Sequence, residues 1–178
     1  MNKPKLLIAP KYLPITQADS RYYVVTGGRG SSKSFSIASL LTLLTCEAGH
    51  KILFTRYTMT SAEISIIPEF LEKIELMDLK EYFHITKNEI VNRMTGSKIL
   101  FRGIKTSSGD QSANLKSLQG ITTFVVEEAE ELVDEDTFDK IDLSVRQKGI
   151  QNRVILVMNP ATKEHWIYKR FFEQAGVT

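Results

Sequence analysis

Lys33 and Ser34 close the segment Thr26-Gly27-Gly28-Arg29-Gly30-Ser31-Ser32-Lys33-Ser34, whose residue types suit polyphosphate chemistry. Glycines let successive backbone N–H groups converge on an anion with no Cβ in the way. A helix starting at the lysine would add the positive end of its dipole. In such a loop, formed by Gly27 to Ser34, Lys33 reaches the β- and γ-phosphates and the Ser34 hydroxyl ligates Mg²⁺. A second group lies about ninety residues on, where Ile121-Thr122-Thr123-Phe124-Val125-Val126 runs into Glu127-Glu128. Two carboxylates at the C-terminal end of a buried strand can divide the work of hydrolysis: Glu127 holds the metal, directly or through water, and Glu128 orients and polarises the attacking water. Taken alone, two acids after a strand also suit the start of a surface helix. A third group is Asn159-Pro160, after Arg153-Val154-Ile155-Leu156-Val157-Met158. Its amide either senses the γ-phosphate or merely opens a turn.

These residues need a scaffold that brings several strand ends to one edge. The apolar run Tyr22-Tyr23-Val24-Val25 predicts a strand over 22–26. Phe35, Ile37, Ala38, Leu40, Leu41 and Leu44 predict a helix over 33–47, closed by Gly49. A second strand is expected at 51–55, ending in Arg56. Ile64, Ile67, Leu71 and Ile74 follow at helical spacing behind a Thr60/Ser61 cap, with Pro68 kinking or restarting that helix. Three short strands with turns at Lys87-Asn88 and Thr95-Gly96-Ser97 predict an antiparallel insertion over 81–102. Residues 106–112 read as a polar loop, and residues 1–20, with Pro10 and Pro14, as an extended lead-in. In the acidic run from Glu127 to Asp142, chemistry falls to the first two members; Leu132, Phe138 and Ile141 should turn inward. The fold class is therefore α/β, a mainly parallel sheet flanked by helices, in a single domain over 1–178.

Bulk properties narrow the rest. A chain of 178 residues with 42% hydrophobic content can bury a substantial core. The net charge of +2 neither requires nor excludes a nucleic-acid partner. One cysteine, Cys46, permits no disulfide framework within the chain and reads as a small core or semi-buried residue. Three scattered histidines lack ligand spacing, and no apolar run approaches a signal peptide or membrane span. A cytoplasmic protein with no membrane partner is the expectation.

Taken together, the motifs resemble the N-terminal ATPase domain of tailed-phage terminase large subunits, the motors that package DNA. The matching pieces are Gly27 to Ser34, Phe54-Thr55-Arg56 with Ser61, Lys116-Ser117-Leu118-Gln119-Gly120, Val125 to Glu130, and Asn159-Pro160 with His165-Trp166. They keep the family's order from about residue 20 to 172. The resemblance implies an ASCE-type, RecA-like P-loop NTPase using ATP and Mg²⁺ to translocate double-stranded DNA. It implies a homo-oligomeric ring with the portal protein and a terminase small subunit as partners, in the host cytoplasm. Lys33 and Ser34 carry over as phosphate and Mg²⁺ contacts, Glu127 as the metal-side acid, Glu128 as the catalytic glutamate, and Asn159 as the coupling residue. Arg29 resembles the P-loop arginine proposed to act as a finger on the γ-phosphoryl group; its alternative is an ion pair with Glu127 or Glu130. Arg56 either touches ligand or ties the second strand to its neighbours.

The chain departs from the family pattern in four places. Glu127 stands where aspartate is usual, and Ser32 where the motif has glycine, which is harmless at negative φ and strained at positive φ. Gln17 is the one candidate for reading adenine. The chain stops at Thr178, so the RNase H-like nuclease domain of the family is not expected here, the ATPase domain is expected to be cut short, and no nuclease activity is expected. Competing readings are another nucleic-acid translocase, a small-molecule kinase, and a nucleotide-binding module that does not hydrolyse.

Overall fold

The computed structural model describes residues 6–59, 62–105, 118–160 and 162–176. The four β-branched or apolar runs become four adjacent parallel strands of the sheet. They are β1 (Tyr22–Thr26), β2 (Lys51–Arg56), β6 (Thr123–Glu127) and β7 (Arg153–Met158). Between β2 and β6 the chain adds β3 (Phe83–Ile85), β4 (Glu89–Asn92) and β5 (Lys98–Gly103). The spatial order is β1-β7-β6-β2-β5-β4-β3. Every pair from β1 to β5 is parallel, and the last two are antiparallel. The expected antiparallel insertion is thus half right. Residues 83–92 form an antiparallel edge, whereas β5 pairs parallel with β2 along its full length and extends the main sheet.

Alternation along these central strands feeds two cores. Leu53, Leu100, Phe124, Val126, Val154, Leu156 and Met158 face one way, onto Leu132, Phe138, Ile141 and Trp166. Ile52, Phe54, Ile99, Phe101, Val125, Ile155 and Val157 face the other. With both faces covered, the strands read as unbroken hydrophobic runs, as buried parallel strands must.

The helices divide between these layers. Short helix α1 (Pro14–Gln17) precedes β1, and α2 (Lys33–Leu44) follows the glycine-rich loop. Ile37, Leu40, Leu41 and Leu44 of α2 are buried together with Ser36, Ser39 and Thr42, so this helix is enclosed on most of its circumference. Pro68 restarts the next helix as expected: α3 (Ala62–Ser65) stops and α4 (Ile67–Leu76) begins with the proline in its first turn. The buried stripe is Ile66, Ile67, Phe70 and Ile74, and Ile64 is exposed instead of inward. Thr60 and Ser61 lie outside the described residues, as does the polar loop at 106–112. Helix α5 (Glu135–Asp142), capped by Asp134, buries Phe138 and Ile141 as its spacing requires. Helix α6 (Trp166–Tyr168) lays Trp166 on Phe138, ring centres 4.9 Å apart.

Two readings change. Over its described residues the lead-in is not extended throughout: Pro10–Tyr12 and α1 form helical turns, with Tyr12 and Ile15 in the core, and the Arg153 guanidinium donates to the Ile15 carbonyl at 2.9 Å. Cys46 lies past the end of α2 and is exposed, because the helix stops at Leu44. No helix among the described residues is long and apolar enough to cross a membrane.

His50, buried at the start of β2, has its imidazole pushed below the ordinary histidine value, mainly by burial, while a hydrogen bond to Glu47 works in the opposite direction. A lowered histidine contributes stability that is present above its unfolded value and is lost as pH falls through the folded one. Denaturant midpoints should therefore fall between pH 7.5 and pH 5, spanning the unfolded value of about 6.5. The fall should be smaller in His50→Gln; an identical fall in both proteins would remove His50 from the account.

Candidate nucleotide site

Parallel register aligns the ends that matter. Thr26 pairs with Met158, Val157 with Glu127, and Glu127 with Arg56. Strand β7 is interposed between the loop-bearing β1 and the acid-bearing β6. Asn159, one residue beyond β7, thus stands between the glycine-rich loop and the carboxylates. All of this is at the C-terminal edge, where open α/β sheets bind ligands. The cleft there measures about 350 Å³, within the usual size of ligand pockets. Its walls are the loop from Gly28 to Ser34 with Phe35, Arg56, Glu127, Glu128, Glu130 and the end of β7 through Asn159.

The loop is built as its sequence requires. A Cβ on Gly27 would come within 2.9 Å of the Ser31 hydroxyl, so the chain can pass there only without one. Gly30 sits at φ +77°. Ser32 adopts φ 59°, ψ 21°, the left-handed conformation in which serine is strained. This is the unfavourable outcome of the serine-for-glycine departure. Lys33 opens α2 and folds its ammonium onto the loop, donating to the Gly27 carbonyl, to the Gly28 carbonyl at 3.1 Å and to the Ser31 hydroxyl at 3.1 Å. Lys33 is thereby held over the loop that would cradle phosphates. Ser34, one residue on, is exposed at the cleft.

The carboxylates differ in their surroundings. Glu127 is buried, and Arg56 donates to its Oε2 from both Nε at 2.6 Å and Nη2 at 2.5 Å. Arg56 therefore does tie β2 to its neighbour, and it lines the cleft as well. Both contacts fall on one oxygen of Glu127. Glu128 is exposed and takes a left-handed backbone, φ 54°, ψ 44°, at the head of the turn Ala129–Glu131. Such backbone on a non-glycine residue persists only where surrounding structure enforces it.

Asn159 reaches Glu130: its side-chain amide donates to Oε1 at 2.9 Å and its backbone N–H to Oε2 at 3.3 Å. Nearby Glu69 on α4 has a carboxyl raised above the ordinary glutamate value, first by burial and then by the charge of Glu127. Arg29 is exposed on the loop, and no ion pair engages it among the described residues. The two partners its bracing alternative named are engaged elsewhere, Glu127 with Arg56 and Glu130 with Asn159. Gln17 is exposed and takes no part in the cleft wall.

Two contributors take roles that the sequence does not assign. Glu130, in sequence a member of the acidic run, the end of the Val125 to Glu130 motif and a candidate partner for Arg29, instead holds Asn159. Tyr12 donates its hydroxyl to the Ser31 carbonyl at 2.8 Å, clamping the lead-in to the loop. Nothing in its local pattern announced a contact nineteen residues away.

A family model described as "Phage terminase large subunit" matches residues 19–177. The chain belongs to the phage terminase large-subunit family. Among curated relatives, the PBSX phage terminase large subunit of Bacillus subtilis strain 168 is 28% identical over 155 residues, covering 86% of this chain and 34% of the relative. The large subunit of Bacillus phage SPP1 is 26% identical over 188 residues, covering 94% and 43%. The chain therefore spans between a third and a half of these terminases. Among solved structures, the HK97 bacteriophage large terminase superposes with a TM-score of 0.73 at 14% identity, covering 96% of this chain and 37% of that one. The Thermus phage P74-26 large terminase ATPase domain gives 0.54 at 20% identity, covering 84% and 64%. At such identities these structures establish the shared fold, a P-loop NTPase with a mostly parallel sheet.

Ser32→Gly should keep the terminase loop and relieve left-handed serine. Strain of about 1–2 kcal/mol is set against about 0.5–1 kcal/mol of added chain entropy, so a gain of up to about 1.5 kcal/mol is expected in denaturant titration. A loss of stability would mean that the Ser32 hydroxyl bond to the Ser31 carbonyl outweighs the strain.

Proposed function

We propose that this chain is the ATPase motor unit of a terminase large subunit, hydrolysing Mg²⁺-bound ATP to drive double-stranded DNA into proheads. One observation carries the reading: the glycine-rich loop with Lys33, the acids Glu127 and Glu128, and Asn159 all wall a single cleft at the C-terminal sheet edge. A large terminase from a thermophilic bacteriophage, solved in complex with ADP, shares the fold with a TM-score of 0.70 and supports a nucleotide as ligand.

The donor set fits Mg²⁺. Among the described residues no cluster of three metal-ligating side chains exists, which suits an ion held mostly by phosphate and water. Ser34 offers a hydroxyl, and Glu127 retains Oε1 free of its Arg56 contacts. Mg²⁺ there would neutralise charge on the β- and γ-phosphoryl oxygens. Arg56 offsets the burial of the Glu127 charge through Oε2, so Oε1 would be the oxygen that holds the ion, directly or through water. Backbone N–H groups from Gly28 to Ser34 cradle the phosphates, and Lys33 moves its ammonium from loop carbonyls to the β- and γ-phosphates. Glu128, exposed at the cleft, orients the attacking water and takes its proton. Arg29 is placed to neutralise charge on the γ-phosphoryl group, in its own subunit or a neighbour's.

Partners follow from the same reading. The Phi-29 viral genome packaging motor assembly shares the fold, with a TM-score of 0.64, and supports a chain that works inside a motor assembly. The proposed assembly is a ring of this chain with a portal protein and a terminase small subunit, in the host cytoplasm.

Phosphate release from Mg²⁺-ATP by this chain and by Glu128→Gln, each with and without linear double-stranded DNA, tests the proposal. Glu128→Gln should lose about 10²–10⁴-fold in kcat with nucleotide affinity nearly unchanged, and DNA should raise wild-type turnover. Lys33→Ala should lose tight ATP binding. Bound ATP with no turnover under any condition would reduce the chain to a nucleotide-binding module, and no binding at all would sink the reading. Arg29→Ala should slow hydrolysis with little change in ATP affinity or melting temperature; a drop in melting temperature instead would make Arg29 a brace.

A further inference from the structure

Glu130 belongs to neither half of the hydrolytic pair, yet three hydrogen bonds join it to the segment that follows β7. Its carboxylate accepts from the Asn159 side-chain amide and from the Asn159 backbone N–H, one oxygen each. Its own carbonyl accepts from His165 Nε2 at 3.1 Å. The His165 ring nitrogen Nδ1 accepts from the Ile167 N–H, so Nε2 is the nitrogen that donates to the Glu130 carbonyl. Two residues further on, the Leu132 carbonyl accepts from Trp166 Nε1 at 2.6 Å. Three residues of one segment, all after β7, thus hold one turn, Ala129–Glu131, that starts at the left-handed Glu128.

We propose that Glu130 is a positioning residue for ATP hydrolysis: by anchoring the turn to Asn159 it holds Glu128 in the strained backbone that aims its carboxylate into the cleft. This inference rests on the hydrolytic reading above. Left-handed backbone at glutamate reverts unless neighbours enforce it. Ala129 is fully buried and pins the turn from beneath, while the Glu130 carboxylate pins it from the cleft side. Both Glu130 oxygens accept N–H groups of Asn159, which ties this carboxylate to the end of β7, while Glu128 is exposed at the cleft and keeps the role of base in the reading above. The same contact orients the Asn159 amide, because one of the two Nδ2 hydrogens is committed to Glu130 and the other is left for a ligand. Glu130 therefore fixes two groups of the site at once.

The test compares wild type, Glu130→Ala, Glu130→Gln, Asn159→Ala and the double variant Glu130→Ala/Asn159→Ala, read by steady-state turnover, binding of a fluorescent ATP analogue, thermal melting and hydrogen exchange of the 128–132 and 165–167 amides. Glu130→Ala should lose about 10–100-fold in kcat, as removal of an orienting partner does, with KM and analogue affinity within about threefold. Glu130→Gln keeps one acceptor oxygen for the Asn159 amide, loses the bond to the Asn159 backbone N–H, and should recover part of that loss. The double variant should be no slower than the slower single, since Glu130→Ala already removes the side-chain contact that Asn159→Ala removes. Exchange should quicken over 128–132 in Glu130→Ala and less so in Glu130→Gln.

Unchanged kcat in Glu130→Ala, or additive losses in the double variant, would overturn the proposal. A Glu130→Gln as dead as Glu128→Gln would overturn it differently, by making Glu130 the base. If wild type binds the analogue without turning ATP over, the hydrolytic reading fails separately. The exchange arm then decides the anchoring claim, and wild-type exchange in Glu130→Ala would end it.

Discussion

The site depends on strand register. Four parallel strands end together because Thr26 lies beside Met158, Val157 beside Glu127, and Glu127 beside Arg56. A slip of one residue in any of these pairings would turn a strand's inward side chains to the opposite face and leave both cores mismatched. Packing of Phe54, Val125 and Ile155 on one side and Phe124, Val126 and Leu156 on the other therefore fixes the register. The chemistry inherits that precision. Since β7 lies between β1 and β6, Asn159 falls between loop and acids as a consequence of topology.

Charge is the second constraint. Glu127, Glu128 and Glu130 wall one cleft with Arg29, Lys33 and Arg56. Like charges a few ångströms apart repel by about 4 kcal/mol at the dielectric of a protein surface, so such carboxylates need partners. The fold distributes them unequally. Buried Glu127 takes the guanidinium, Glu130 takes the Asn159 amide and backbone, and Glu128 is left to solvent. Three glutamates within four positions thereby acquire three different chemistries, and the only distinction among them is the direction the backbone gives each side chain.

Strain concentrates where ligand chemistry is expected. Of the three described non-glycine residues with positive φ, Ser32 and Glu128 belong to the cleft. Each is the residue before a helical turn, Ser32 at the end of the glycine-rich loop and Glu128 directly after β6, and both line the cleft. Tyr12 holds the first of these bends through Ser31, and the segment from Asn159 to Trp166 holds the second. Both clamps come from parts of the chain distant in sequence.

The sequence by itself determined the strand–loop–helix unit, the acid strand, the restart at Pro68 and the inward turn of Leu132, Phe138 and Ile141, because periodicity, glycine and proline act locally. It also named Lys33, Ser34, Glu127 and Glu128, since their residue types at that spacing serve one chemistry, while Arg29 and the coupling role of Asn159 came from the family resemblance. Tertiary structure alone decided that β5 joins the parallel sheet, that the lead-in coils onto the loop, and that Arg56 belongs to Glu127. It alone set Ser32 left-handed and drew Glu130 out of the acidic run. These outcomes rest on contacts between residues far apart in the chain, such as Arg56 and Glu127, 71 positions apart, where no local pattern can register a partner.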